Sequence, residues 1–189
     1  WALVFERAAL RRALFALAGL PFLYFAFSAQ DSAWSPYYYV QHEQSAEGLR
    51  VYVNSSFHQL AIDWSDDSPE ARGLQKMMLA RFGVPYDVYR DMHDGSAPKK
   101  VLVLGAGTGN DVQVALLNQA EQVVAVEIDP VILSLGRERN PARPYADPRV
   151  RAVVDDARHF LRTSGERFDL IIFGTLDSQV LLSSSANLR

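Results

Sequence analysis

Residues 101–129 read VLVLGAGTGNDVQVALLNQAEQVVAVEID. The first four are apolar, a run that fits a buried strand. Glycines follow at alternate positions: Gly105, Gly107 and Gly109. Val112, Val114, Ala115 and Leu116 fall at helical spacing, and a second apolar run, 123–126, ends in Glu127. Strand, glycine turn, helix, strand and acid, in that order, are the first half of a nucleotide-binding α/β unit. A backbone approaches a ligand closely only where no Cβ intrudes, and glycine also reaches positive φ at low cost. The helix that follows turns unpaired N–H groups back towards the ligand. The acid closing the second strand has lone pairs for two hydrogen bonds from a ribose diol. A tight turn that binds nothing would need the glycines but not the acid.

The dinucleotide fingerprint is G-x-G-x-x-G, and Asn110 occupies the position of its last glycine. Asp111 follows, where a carboxylate opposes a pyrophosphate but suits a cationic ligand. The stretch resembles the first motif of S-adenosylmethionine-dependent transferases more than an NAD site.

Composition narrows the classes. The chain has 189 residues, 49% hydrophobic and 22% charged, with a formal net charge of −3. That balance suits a globular core. The absence of a basic block argues against nucleic acid as a partner. With no cysteine there is no disulfide, thiol nucleophile or cysteine-ligated metal. His42, His58, His93 and His159 are scattered, so no metal-binding set is expected.

Outward from the central stretch, the pattern divides the chain into four parts. Residues 1–30 hold an uncharged run from 13 to 30, ALFALAGLPFLYFAFSAQ, at the lower limit for a membrane span of roughly 17–25 residues. A signal peptide and a hydrophobic helix packed on protein are the rival readings. Residues 31–67 carry Tyr, Val and Phe alternating with polar residues, broken at Gly48 and at Asn54-Ser55-Ser56, which predicts two or three antiparallel strands. Residues 68–99 are a helix and linker, the helix opening on Ser68 with Glu70 behind it and carrying Leu74, Met77 and Met78 at core spacing. Residues 100–189 continue the α/β alternation: a helix from Asp129-Pro130 to about Arg139, a loop NPARPYADP, a strand over 150–154, a helix over 156–163 and a strand over 168–173.

The order of motifs resembles the spermidine synthase (polyamine aminopropyltransferase) family over roughly residues 35–189, in the manner of its membrane-attached relatives. SPYYYV is similar to the family's S-x-Y-Q, RVYVNSSFHQ to V-L-D-G-x-x-Q and LQKMM to Y-x-E-M. VLVLGAGTGNDV resembles I-G-G-G-D-G, and VEIDPVIL resembles E-I-D-x-x-V. VVDDARHFL resembles G-D-G-x-x-F, and FDLIIFGTLDS resembles D-V-I-I-x-D-x-x-D-P. The resemblance implies an α/β, Rossmann-like S-adenosylmethionine-transferase fold, truncated at the C-terminus. A small antiparallel β-domain and a hydrophobic N-terminal helix precede it. It implies that Gly105, Gly107 and Gly109 line the adenosyl ligand and that Glu127 holds the ribose. Asp156, with the Ala157 backbone, reads the adenine. Gln75 falls at the cofactor's tail, and Asp177 on the second acid of the D-x-x-D loop. The substrate implied is S-adenosylmethionine or its decarboxylated form, with a small-molecule amine or other acceptor. Membrane attachment through residues 13–30, a cytoplasmic transferase domain and a homodimer complete the expectation.

Departures from the family pattern matter as much. The first acid of the D-x-x-D loop is Gly174, the acid of the glycine block is Thr108, the tyrosine of Y-x-E-M is Leu74 and the proline after the second acid is Ser178. Aminopropyl transfer needs a neutral amine and carboxylates beside it. The residues thus leave three readings open: aminopropyl transfer with Asp177 as the surviving acid, methyl transfer from intact S-adenosylmethionine, and a non-catalytic nucleoside-binding module.

Overall fold

Two sheets lie side by side in the chain order, an antiparallel one before the glycine turn and a parallel one built around it. The computed structural model describes residues 31–174, and the described residues from Trp34 onward fall in one compact unit. The expected membrane helix at 13–30 and the candidate acid Asp177 lie outside the described residues.

After a short strand β1 (Ser32–Trp34), β2 (Tyr39–Ser45), β3 (Gly48–Val53) and β4 (Ser56–Ile62) form an antiparallel meander. Both hairpins turn where the sequence breaks. Gly48 has φ +139°, and Asn54 and Ser55 have φ 50° and 65°, the left-handed pair of a two-residue turn whose twist matches the strands. Alternation decides which face is covered: Val40, Leu49, Val51 and Ala61 are buried against Ile132 and Leu135.

Helix α1 (Pro69–Phe82) starts at Ser68, whose Oγ accepts the Ala71 N–H at 3.2 Å. Its apolar residues do not form the expected core stripe. No residue of the helix is buried, and Met77 is 58% exposed. Leu74, Met78 and Phe82 share one side of the helix and are half-buried, while Met77 and Leu79 are exposed, so the apolar side is only partly covered. A second helix, α2 (Val84–Met92), occupies a stretch the sequence reading left unassigned. It buries Tyr86 in the main core.

The α/β portion follows the sequence reading closely: β5 (Lys100–Leu104), α3 (Asn110–Leu117), β6 (Gln122–Glu127), α4 (Pro130–Arg139), β7 (Val150–Val154), α5 (Ala157–Thr163) and β8 (Leu170–Phe173). All pairings are parallel, in the order β7-β6-β5-β8. Central strands are buried on both faces, which is why they read as unbroken apolar runs. Val101, Val103, Val123 and Ala125 meet Tyr86, Val112, Ala115 and Ile172 on one side, and Leu102, Leu104, Val124 and Val126 meet Phe160 on the other. The chain runs outward from β5 through β6 to β7 and returns to β5's other side as β8. Ligands of such sheets sit beyond the carboxyl ends of the strands at that switch point. No helix among the described residues is long and apolar enough to cross a membrane.

Candidate functional site

The glycine turn leaves the carboxyl end of β5 with Gly105, Gly107 and Gly109 at φ 71°, 55° and 106°. Left-handed backbone of this kind is cheap only for glycine. Space gives a second reason at Gly107 and Gly109. A Cβ on Gly107 would come within 2.6 Å of Gln59 Oε1, and one on Gly109 within 2.7 Å of Pro144 Cγ.

Glu127 ends β6 beside this turn and is only 7% exposed. Its Oε2 accepts the Gly107 N–H at 2.7 Å and its Oε1 accepts the Asp129 N–H at 2.9 Å. Burial raises the pKa of the carboxyl, and backbone N–H groups, those two first, offset part of the rise. The result is a carboxylate fixed in orientation at the strand end, with one lone pair left on each oxygen. Asp129 caps α4 through its Oδ1, which accepts the Val131 N–H at 2.8 Å. Its Oδ2 accepts the Ser35 hydroxyl at 2.6 Å.

Beside Glu127, the end of β7 is tied by the Asp155 N–H to the Glu127 carbonyl at 3.1 Å. Asp156 caps α5: its Oδ1 accepts the Arg158 and His159 N–H groups at 2.9 and 3.0 Å. Ala157 begins the helix and packs on the Phe160 cluster. His159 Nδ1 lies 2.9 Å from both carboxylate oxygens of Asp155, a structural role for this histidine. The structure therefore brings Gly105, Gly107, Gly109, Glu127, Asp156 and Ala157 to the carboxyl ends of three neighbouring strands. Gln75 is engaged elsewhere. Its Nε2 donates to the Asp63 and Asp66 carbonyls at 3.1 and 2.9 Å, tying α1 to the loop before it.

Residues that the sequence reading left without a role complete the turn. Gln59 reaches over from β4, and its Oε1 accepts the Thr108 N–H at 3.3 Å and the Thr108 hydroxyl at 3.2 Å. A backbone N–H cannot accept, so the amide oxygen must face it and the Gln59 NH2 points away. That nitrogen is buried and has no hydrogen-bond partner among the described residues. From the α4–β7 connection, the Tyr145 hydroxyl donates to the Gly107 carbonyl at 2.7 Å, and Asn140 Nδ2 donates to the Thr108 carbonyl at 2.8 Å. A signal for Gln59 existed, since it closes the motif RVYVNSSFHQ. Asn140 and Tyr145 had none, lying in a stretch that reads only as loop.

The departures from the family pattern are structural facts too. Thr108 is fully buried. Gly174 donates to the Leu104 carbonyl at 2.8 Å, and a Cβ there would sit 2.4 Å from the Gly105 carbonyl oxygen. No side chain fits position 174 on this backbone, an aspartate included. Asp111 is largely buried on the first turn of α3, and that burial pushes its carboxyl up to about 6.

Comparison with known proteins bears on the fold and the family. A spermidine synthase solved in complex with the transition-state analogue AdoDATO superposes with a TM-score of 0.58 at 18% identity, over 76% of this chain and 46% of that one. The spermidine synthase of Thermotoga maritima gives 0.59 at 19% identity, over 77% and 46%. The fold is thus the Rossmann-like fold of those enzymes, small antiparallel sheet included. In sequence, polyamine aminopropyltransferase 1 of Pseudomonas aeruginosa is 35% identical over 85 residues, 43% of this chain and 30% of the relative. The polyamine aminopropyltransferase of Thermococcus onnurineus is 34% identical over 83 residues, 42% and 29% of the two chains. The matches span under a third of those relatives. The spermine/spermidine synthase domain model matches residues 83–187, more than half of the sequence, and the chain belongs to that family.

Proposed function

We propose that the chain carries the adenosyl-substrate side of an aminopropyltransferase of polyamine synthesis, which moves a three-carbon amine from decarboxylated S-adenosylmethionine to a small amine. The observation that carries the reading is the Glu127 clasp. A buried carboxylate is held by the Gly107 and Asp129 N–H groups at the strand end, with lone pairs left for a ribose diol. In this reading Asp156 accepts from the adenine amino group beside the Ala157 backbone, and the three glycines let the turn approach the ligand. The acceptor nitrogen's lone pair forms the new N–C bond as the C–S bond of the sulfonium breaks. Methylthioadenosine leaves, and the amine's proton passes to a base. Asp177 is the candidate for that base. Membrane attachment through residues 13–30, a cytoplasmic transferase domain and pairing of two copies stand beside the reading as expectations of sequence.

One observation favours a second reading, methyl transfer from intact S-adenosylmethionine. Thr108 stands where the family pattern has an acid, and its N–H turns the Gln59 amide so that the NH2, a donor, is left over. A donor suits a ligand's carboxylate, whereas an acid repels one. Calorimetry on the 189-residue chain with both sulfoniums, followed by mass spectrometry with a diamine, separates the two. The expected result is at least about tenfold tighter binding of the decarboxylated form, a difference of ~1.4 kcal/mol, with methylthioadenosine as by-product. Equal or tighter binding of the intact form, with adenosylhomocysteine as by-product, moves the assignment to methyl transfer. Binding of neither sinks both.

A further inference from the structure

The peptide groups of the glycine turn are bonded at both ends, and by residues from three different parts of the fold. In the 106–107 peptide the Ala106 carbonyl accepts the Gly109 N–H at 2.9 Å, while the Gly107 N–H donates to Glu127 at 2.7 Å. In the 107–108 peptide the carbonyl accepts from Tyr145 and the N–H donates to Gln59. In the 108–109 peptide the carbonyl accepts from Asn140. Gly107 is the weak joint in this chain of bonds. It has no side chain, and its φ of 55° lies in a region that glycine leaves as easily as it enters. Only the groups on either side of it hold its two torsions.

We propose that Tyr145 is a positioning residue for Glu127: its hydroxyl fixes the Gly107–Thr108 peptide and so keeps the Gly107 N–H on the carboxylate that faces the ligand. The inference rests on the adenosyl-binding reading for its purpose, not for its geometry. Tyr145 enters the turn closely enough that Gly109 and Gly136 must both be glycine. Cβ atoms there would lie 3.0 and 2.6 Å from its ring. The 3-10 turn Pro144–Ala146, following Arg143 at φ 50°, delivers the ring from the loop. Without the hydroxyl, Gly107 gains rotational freedom, and Glu127 loses one of the N–H groups that offset its burial. The other charges near this pair are Asp129 at the start of α4, Arg137 further along it and Asp111 on α3. From the small sheet the neutral Gln59 reaches the turn.

The test is Tyr145→Phe, read by NMR without ligand. Glu127 is titrated through its side-chain carboxyl carbon, and exchange of the Gly107 amide is timed. The expected result is a titration midpoint raised by roughly half a unit to one unit and Gly107 exchange about tenfold faster or more. With S-adenosylmethionine or its decarboxylated form, the acid limb of binding then moves to higher pH by the same amount. A filler role for the ring would move thermal stability but neither readout. An unchanged midpoint and unchanged exchange overturn the proposal. Asn140→Ser, which frees the neighbouring Thr108 carbonyl, is the second variant should Tyr145→Phe not fold. It moves both readouts in the same direction, and no movement there also counts against the proposal. Arg143→Ala, exposed on the same loop, moves neither. If the wild type binds neither sulfonium, the adenosyl reading falls, while the ligand-free titration still decides the role of Tyr145.

Discussion

Asp111 follows the glycine turn, at the start of α3. Its position in the sequence, just past the glycine turn, invites a role facing the ligand. In the structure its carboxyl is largely withdrawn from water on the first turn of α3, close enough to the buried Tyr86 hydroxyl that its charge raises that group's pKa. What sequence cannot convey is α2, the helix that brings Tyr86 over it. Burial disfavours the ionised form, and the helix N-terminus recovers part of the loss. The folded pKa of about 6 stands above the ordinary aspartate value of 3.8, so between those values the folded state binds more protons than the unfolded one. This group's contribution to stability is therefore full below about pH 4 and is lost as pH rises through 6. Asp111→Asn removes that loss. Its expected effect is a stabilisation at pH 7 of up to ~3 kcal/mol, from about two units at ~1.4 kcal/mol each, shrinking towards zero at pH 4. Urea melts at the two pH values check it, and equal effects at both would show that burial is not the cause. Glu127, by contrast, was legible as a site residue from its place at the end of an apolar run, and the structure puts it at the turn.

At the scale of elements, two helical glycines separate fold requirement from accident. Gly136 lies in α4 where a Cβ would meet the Thr108 carbonyl oxygen at 2.7 Å and the Tyr145 ring at 2.6 Å. Gly73 lies in α1 with nothing within 4 Å of its Cβ position. The same substitution should have opposite signs. Gly73→Ala stabilises by roughly 0.5–1 kcal/mol, because alanine loses less backbone entropy and nothing resists it. Gly136→Ala pushes α4 off the glycine turn, at a cost of about 1–3 kcal/mol, and weakens sulfonium binding as well. Differential scanning calorimetry of the pair settles it, and a stabilised Gly136→Ala would mean the α4–turn contact gives way freely. Apolar runs flanked by glycine, and Ser68 or Asp129 before a proline, marked nearly every other element in the sequence. α2 escaped because its residues, VPYDVYRDM, mix aromatic and charged groups and bury only Tyr86. α1 was found, but its burial was not, since Met77 and Met78 at helical spacing say nothing about whether an element lies opposite them.

Over the whole molecule, the order of layers was readable because the α/β alternation is local, strand by strand, and so were the two hairpins of the small sheet. The way the two sheets meet was not, because it depends on contacts between residues some fifty to ninety positions apart. Val40, Leu49, Val51 and Ala61 of the small sheet close over Ile132 and Leu135 of α4. Asn110 Nδ2 donates to the Leu60 carbonyl at 2.8 Å, and the Ser35 hydroxyl joins Asp129. Gln59 completes the seam at Thr108. A sheet this small does not stand alone, and most of its apolar face belongs to a core shared with α4. The two sheets are therefore expected to unfold as one. Leu49→Ala, at a fully buried position in that shared core, should cost ~2–5 kcal/mol and lower the melting of both sheets together. Hydrogen exchange read separately at Val51 and at Val103 makes the comparison. If Val51 opens at far lower denaturant while Val103 keeps its wild-type protection, the small sheet is a separate unit and Gln59 cannot hold the turn through its packing. If the two fall in step, the seam transmits: a change in the small sheet reaches Thr108 through Gln59, and the proposed adenosyl site loses affinity in proportion to the loss of stability, with no residue of the site altered.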